Sequence, residues 1–224
     1  KRAIAIHEAG HASVSWLLEH ANPLVKVTIV PRGQSLGAAW YLPEERQITT
    51  TEALQDQLCA LLGGRAAEDL FLERVSTGAA NDLERVTKLA YAMVTYYGMS
   101  DKLPNINYYE MQNDGWNLTK PYSDTTAEVI DAEVNRIISE QYERAKSILR
   151  EHEAGHHELA DLLLKREVIL ADDVERIFGK RPWASRTEEL LGLNAPATAT
   201  EETTADAEAP IPVEGEEKTE EHPE

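Results

Sequence analysis

The spacing of apolar residues predicts a helix at the start of the chain. Ile4, Val14 and Leu18 fall on one helical face at spacings of three and four residues, and two histidines lie between them on the same face. This amphipathic helix is predicted over residues 2–20. It is expected to end before Pro23, because a residue that precedes proline is disfavoured in the helical conformation.

A β-hairpin is predicted to follow the first helix. Residues 25–30 are rich in β-branched side chains, and residues 31–33 contain the proline and the glycine of a turn. Residues 37–42 are predicted as the returning strand, which Pro43 stops. The first third of the chain therefore has an α+β pattern.

The chain is predicted to be mainly helical after the hairpin. A helix that begins at Thr50 or Thr51 is expected to run through residue 62. The pair Gly63-Gly64 is expected to interrupt this helix, which then resumes over residues 65–72. The remaining predicted elements are helices over residues 82–97, 124–165 and 171–178 and an irregular segment over residues 99–122.

The charge of the chain is unevenly distributed. The formal net charge is −18 at pH 7, and residues 195–224 hold ten Asp and Glu against one Lys, a net charge of −9. This acidic segment is poor in apolar residues and is not expected to fold alone. We therefore predict a folded domain over residues 1–183 and an acidic tail over residues 184–224. The negative charge also argues against nucleic acid as a partner, because phosphates would be repelled.

Cysteine content and hydropathy exclude further classes of protein. Cys59 is the single cysteine, which excludes both a disulfide framework and a cysteine-rich zinc site. There is no run of about 18 apolar residues, so no membrane contact is predicted for this chain itself. The chain lacks an initiator Met and opens within a predicted helix, which leads us to expect a fragment of a longer protein.

The first predicted helix carries the sequence His7-Glu8-Ala9-Gly10-His11. Residues four apart lie one turn apart on the same helical face, so the two imidazoles can bind one metal ion. Glu8 can take a proton from a metal-activated water and pass it to the leaving amine. The pattern predicts a zinc peptidase in which His7 and His11 are ligands and Glu8 is the general base.

The same five residues recur at positions 152–156, and spacing alone cannot choose between the two copies. The first copy is favoured because a hairpin follows its helix, and an extended substrate can pair with the edge of a strand. The second copy lies within the long predicted helix on a stripe of apolar residues. That position favours a packing role for His152 and His156, and a metal role is the alternative.

A third metal ligand is expected among the carboxylates downstream. Glu68, Asp69 and Asp82 are all candidates, although Asp82 also suits a helix N-cap. Glu68 and Arg65 could support the metal ligands from behind, or form an ion pair on a helix surface. The residues predicted to form the substrate-binding edge of the second strand are Leu36, Gly37, Ala38, Ala39 and Trp40.

Several segments, in the same order, resemble the peptidase domain of the FtsH family, the membrane-anchored AAA zinc proteases of bacteria, mitochondria and chloroplasts. The resemblance covers about residues 1–183. The segments that carry it are residues 5–12, 26–33 with 36–37, 63–68, 76–82 and 97–100.

The resemblance implies a mainly α fold, a zincin-like metallopeptidase domain with a small β-hairpin or sheet near the active site. It implies one Zn²⁺ per chain, with Asp82 as the third ligand. It also implies a homo-hexamer that cleaves unfolded or membrane proteins, with the peptidase domain on the cytoplasmic side of the bacterial inner membrane. The ATP-using module of that family is absent from this chain, which has no Gly-x-x-x-x-Gly-Lys phosphate loop.

Two other functions are compatible with the sequence. The domain could be a ring without peptidase activity that only organises a larger assembly, although His7, Glu8 and His11 are all intact. It could also be a free-standing small metallopeptidase.

Overall fold

The computed structural model describes residues 1–31, 37–42, 48–108 and 120–183. Leu36 and the acidic tail of residues 184–224 lie outside the described residues, so what is predicted for them stays a prediction. The helices are α1 (Arg2–Trp16), α2 (Thr51–Leu72), α3 (Ala80–Thr95), α4 (Asp124–Glu151), α5 (Glu153–Arg166) and α6 (Ala171–Phe178), with a 3-10 turn at Thr77–Ala79. The strands are β1 (Leu24–Thr28), β2 (Ala38–Tyr41), β3 (Met99–Ser100), β4 (Leu103–Pro104) and β5 (Val168–Leu170). The fold is therefore mainly α with a small antiparallel sheet, as predicted.

Helix α1 is the central element of the fold, and it is buried more completely than an amphipathic helix would be. Every residue from Ala5 to Trp16 is buried, against α2, α5 and the sheet. The predicted end of this helix near residue 20 is wrong, because the helix stops at Trp16. The carbonyl groups just beyond it, at Leu18 and Ala21, accept hydrogen bonds from Arg181 instead.

The predicted interruption of the second helix at Gly63-Gly64 is also wrong, since α2 runs unbroken through both glycines. The glycines are needed where α2 crosses α1. A β-carbon on Gly63 would lie 2.8 Å from the Gly10 carbonyl oxygen, and one on Gly10 would lie 2.5 Å from the Gly63 carbonyl oxygen. The two helices therefore meet backbone to backbone, and packing outweighs the low helix propensity of glycine.

The sheet lies beside α1 and has the strand order β2-β1-β5. β1 and β2 form the predicted hairpin, with Val27 opposite Ala39. β5 was not predicted, and it pairs antiparallel with the other edge of β1, with Ile169 opposite Val27. Within the described residues β1 is the only neighbour of β2 in this sheet, so β2 keeps one edge open there.

The single long helix predicted over residues 124–165 is in fact two helices that meet at His152. The backbone of His152 leaves the helical region, with φ −119° and ψ 29°. The apolar stripe continues across the break, so periodicity could not reveal it. Gly155 follows the break and allows Phe178 of α6 to approach, since a β-carbon there would lie 2.6 Å from the Phe178 ring. Helix α5 packs against α1.

A second core lies between α2, α3 and α4. The short β3–β4 pair joins this core through Ser100, whose hydroxyl donates a hydrogen bond of 2.6 Å to the buried carboxylate of Glu133. Residues 99–108 are otherwise irregular, as predicted. None of the helices in the described ranges has the length and apolar character that crossing a membrane requires.

Replacing Gly63 by Ala is expected to lower the free energy of unfolding by about 1–3 kcal/mol, because the added methyl group would press on the backbone of α1. Urea unfolding of the Gly63→Ala variant measures the change. Gly78→Ala is the control, since a β-carbon there would meet side-chain atoms and no backbone, namely the Ser76 hydroxyl at 3.2 Å and the Glu68 carboxylate at 3.7 Å. Equal stabilities of the two variants would contradict the close helix contact.

Acid is expected to destabilise the fold through His156. This side chain is fully buried, and burial, with a smaller contribution from the neighbouring His157, lowers its pKa from 6.5 to about 4. Between these two pH values the unfolded chain binds a proton that the folded chain does not bind. Stability should therefore fall as the pH drops from 6.5 to 4, by on the order of 3 kcal/mol in total.

The measurement is the free energy of unfolding against pH for the parent and for His156→Leu, which should have a shallower slope in this window. His157→Ala is the control, because that neighbouring ring is half exposed. Parallel curves for the parent and His156→Leu would show that His156 is not the group responsible.

Candidate metal centre

The two histidines of the first motif lie one turn apart on α1 and point to the same place. Their Nε2 atoms are 3.1 Å apart, and both side chains are buried. The rings meet edge to face, with centroids 4.8 Å apart. This arrangement is the one that the four-residue spacing predicts.

Helix α2 determines which nitrogen of each imidazole ring is available to bind a metal ion. The Nδ1 of His7 donates to the Glu68 carboxylate at 2.9 Å, and the Nδ1 of His11 donates to the Ala60 carbonyl at 3.0 Å. A neutral imidazole carries one N–H, so each Nε2 is left with a lone pair. Two lone pairs that face each other at this distance repel, and a cation between them would remove the repulsion.

Asp82 completes a group of three possible ligands. Its Oδ2 lies 3.2 Å from the Nε2 of His11 and 3.4 Å from the Nε2 of His7. A tetrahedral zinc ion at 2.0–2.1 Å from each ligand would place ligand atoms about 3.3 Å apart. In the part of the chain that the structure describes, this is the only group of three or more His, Cys, Asp or Glu side chains positioned to hold a metal ion.

The electrostatics of the three side chains also suit a cation. Burial alone would raise the pKa of Asp82, but the imidazoles of His11 and His7, which lie beside its carboxylate, hold that pKa far below the usual range. Burial opposes protonation of His11, yet Asp82 and Glu8 together raise its pKa. Asp82 is therefore an anion, which is the state that a carboxylate ligand of a metal ion needs.

The other carboxylates considered as ligands have different roles. Glu68 lies behind His7 and also accepts hydrogen bonds from the amide and the hydroxyl of Ser76. Arg65 donates to the Ser76 carbonyl rather than to Glu68, so these two residues do not form the surface ion pair that was the alternative prediction. Asp69 accepts from Tyr142 and Lys146, away from the histidines. Asp82 is the third residue of α3, whose N-cap is Ala79, so it does not serve as an N-cap.

Glu8 lies beside this group and at the start of β2. Its carboxylate is buried, and burial raises its pKa, although His11 and His7 act in the opposite direction. A β-carbon on Gly37 would lie only 2.7 Å from the Glu8 carboxylate. The strand predicted to bind substrate therefore begins against the predicted general base.

The remaining residues of β2 divide between the core and the surface. The Tyr41 hydroxyl lies 3.0 Å from the Ser15 hydroxyl and donates to the His11 carbonyl at 3.4 Å, so it ties β2 to α1. Trp40 is 46% exposed, with the Lys26 ammonium 5.0 Å from its ring centre. Ala38 and Ala39 pair with Thr28 and Val27 of β1.

Gly64 is a residue of the site that sequence reasoning did not identify as such. A β-carbon on Gly64 would lie 2.6 Å from the Nε2 atoms of both His7 and His11. Any side chain here would occupy the space in which the ligand atoms meet. The signal was present in the sequence as a glycine pair inside a helical pattern, but it was taken for an interruption of the helix.

The second copy of the motif has a different geometry. The Nδ1 of His152 donates to the Ile148 carbonyl, and the Nε2 of His156 donates to the Ile6 carbonyl. The ring of His156 also stacks on Phe71, with centroids 4.5 Å apart. These contacts place the second copy in packing between helices, as predicted, and among the described residues it does not form a group of three or more side chains positioned to hold a metal ion.

The sequence of the chain is similar to that of a known family of peptidases. Residues 1–177 match the family described as peptidase family M41. The chain belongs to peptidase family M41. Over 93% of its length this M41 chain is 66% identical to the ATP-dependent zinc metalloprotease FtsH of Parabacteroides distasonis, of which it covers 31%.

Relatives from eukaryotes are also similar. Over 96% of the chain the identity is 46% to the mitochondrial ATP-dependent zinc metalloprotease FTSH 3 of Arabidopsis thaliana, of which 26% is covered. Over 84% of its length the chain is 44% identical to the mitochondrial inner membrane m-AAA protease component AFG3L2 of Mus musculus, of which it covers 23%. The M41 chain thus spans between about a quarter and a third of the length of these relatives.

Substitution of Gly64 by Ala is expected to abolish tight metal binding without unfolding the chain. The methyl group would push the two Nε2 atoms apart, whereas Ala is favoured over Gly within a helix by about 1 kcal/mol. Elemental analysis of zinc content tests the loss of metal binding. The midpoint of thermal unfolding of the metal-free protein tests whether the chain stays folded. Full zinc content in a folded Gly64→Ala variant would contradict the proposed position of the ligands.

Proposed function

We propose that this chain is a zinc endopeptidase domain in which His7, His11 and Asp82 hold the metal ion. The observation that carries the proposal is the group of three ligand atoms at 3.1–3.4 Å from one another, with both imidazole Nδ1 atoms already engaged. Support also comes from relatives whose names include "zinc metalloprotease". Bound zinc supplies a water that ionises near neutral pH.

Glu8 carries the proton in this reaction. Its carboxylate accepts the proton of the attacking water and then delivers it to the nitrogen of the departing amine. The position of Glu8 between the ligand helix and β2 suits both steps, because Gly37 brings the first residues of that strand against its carboxylate. A larger residue at position 37 would push substrate backbone away from Glu8.

The open edge of β2 is the proposed substrate-binding surface. An extended substrate chain would add a strand beside Gly37, Ala38, Ala39 and Trp40, and Leu36 is included by sequence position alone. Backbone hydrogen bonds carry little sequence information, so cleavage specificity should be loose. The exposed ring of Trp40 offers an apolar contact to the side chains of the substrate.

The parent protein is proposed to be an ATP-dependent protease. The relatives are named as ATP-dependent and are three to four times as long as the matched region, which leaves room for an ATPase module. We infer that this module delivers unfolded or membrane proteins to a homo-hexamer of peptidase domains. The similarity to a bacterial FtsH favours the inner membrane, with this domain on the cytoplasmic side.

The two other functions considered have less support. A ring without peptidase activity has no need for a buried Glu8 beside three convergent ligand atoms. A free-standing small metallopeptidase is disfavoured because the relatives are far longer than this chain.

Glu8→Gln tests the role of the general base. The variant should bind about one zinc per chain, as the parent does, but its rate of casein cleavage should fall by at least about 10²-fold, since the amide cannot accept the proton. Elemental analysis and a casein assay on the same preparation measure both quantities. If Glu8→Gln cleaves casein at the rate of the parent, Glu8 is not the general base.

His7→Ala tests the metal site separately. This variant should lose nearly all of its zinc, whereas His152→Ala should keep it, because the second copy of the motif is engaged in packing. Retention of about one zinc per chain in folded His7→Ala would place the metal elsewhere.

A further inference from the structure

His7, the first candidate ligand, lies in the first turns of α1, which are buried by contacts with other elements.

One of those contacts is a buried hydrogen bond from α5. The Nε2 of His156 donates to the carbonyl of Ile6 at 3.1 Å, across 150 residues of chain. That carbonyl belongs to the planar peptide unit that continues into the amide of His7. A donor that fixes this oxygen therefore fixes the plane in which the Cα of His7 lies.

The His156 ring is itself held in place from a third helix. Phe71 of α2 stacks on it with an interplanar angle of 22° and a centroid distance of 4.5 Å. The same helix, α2, supplies the Glu68 carboxylate to the other side of His7. His7 is thus held at its backbone through α5 and at its side chain through α2.

Packing alone does not explain a histidine at position 156. The residue has no exposed surface, and its Nδ1 has no hydrogen-bond partner within the described part of the chain. A buried polar atom without a partner costs free energy, and an apolar side chain of similar size would avoid that cost. The Nε2 donor is what such a side chain could not supply.

We propose that His156 is a positioning residue, whose hydrogen bond to the Ile6 carbonyl sets the orientation of the peptide that leads into His7 and thereby aims its imidazole at the metal. The inference rests on the proposed function, in which His7 is a zinc ligand. It gives the second copy of the motif a role in supporting the first.

His156→Gln and His156→Met form a matched pair for the test. The two side chains have nearly the same length and shape, but only Gln carries a terminal N–H donor that can reach the Ile6 carbonyl. The zinc dissociation constant of the 224-residue chain, measured by competition with a chelator, should rise about tenfold in the Met variant. The Gln variant should stay close to the parent.

A purely structural role of His156 would give a different result. Zinc affinity would then follow the thermal unfolding midpoint of each metal-free variant. The Met variant buries no unpaired polar nitrogen, so it should be at least as stable as the Gln variant and should bind zinc at least as tightly. Equal zinc affinities of the Gln and Met variants would overturn the proposal, and His156→Leu repeats the comparison with a second side chain that lacks the donor. His157→Ala is the control for loss of a neighbouring imidazole and should bind zinc as the parent does.

The outcome can be separated from that of the proposed zinc site. If His7→Ala keeps its zinc, the proposed function fails. If His7→Ala loses its zinc while the Gln and Met variants bind it equally, only the role of His156 fails.

Discussion

The contact between α1 and α2 is the constraint on which the rest of the structure depends. Gly10 and Gly63 place the two backbones against each other, and Gly64 leaves the space in which the imidazoles meet. Only at this separation can α2 reach the Nδ1 atoms of His7 and His11 with a carboxylate and a carbonyl. The position of the helices thus determines the chemistry of the rings.

The same contact explains how several ionisable groups are accommodated in a buried region. Glu68 is 3% exposed, and burying an anion is costly unless hydrogen bonds replace those it made to water. Ser76 donates two such bonds, and His7 donates a third. Asp82 is compensated by the two histidines. The hydrogen bonds to Glu68 are thus satisfied within the protein, and they hold its carboxylate in place behind His7.

Much of the fold and the site could be predicted from local sequence, because helical spacing and turn residues act over a few positions. The pair His7 and His11 and the hairpin are of this kind. What could not be predicted depends on partners distant in the chain: β5 pairs with a strand about 140 residues earlier, and three residues of sequence carry no pattern for that. The break at His152 lies on an apolar stripe that continues through it. The role of Glu68 as the support for His7 could not be chosen from sequence, because it depends on how closely α1 and α2 approach each other.

The two copies of the motif show that the five residues do not determine their own role. In α1 both Nδ1 atoms are engaged by α2, so both Nε2 atoms face one point. In the second copy the first histidine is at a junction between helices and returns its Nδ1 to the preceding turn. Its second histidine directs Nε2 to the backbone of α1. The surroundings of each ring decide which nitrogen is free, and a metal site needs two free nitrogens that converge. In this chain the second copy contributes its donor to the helix that carries the first.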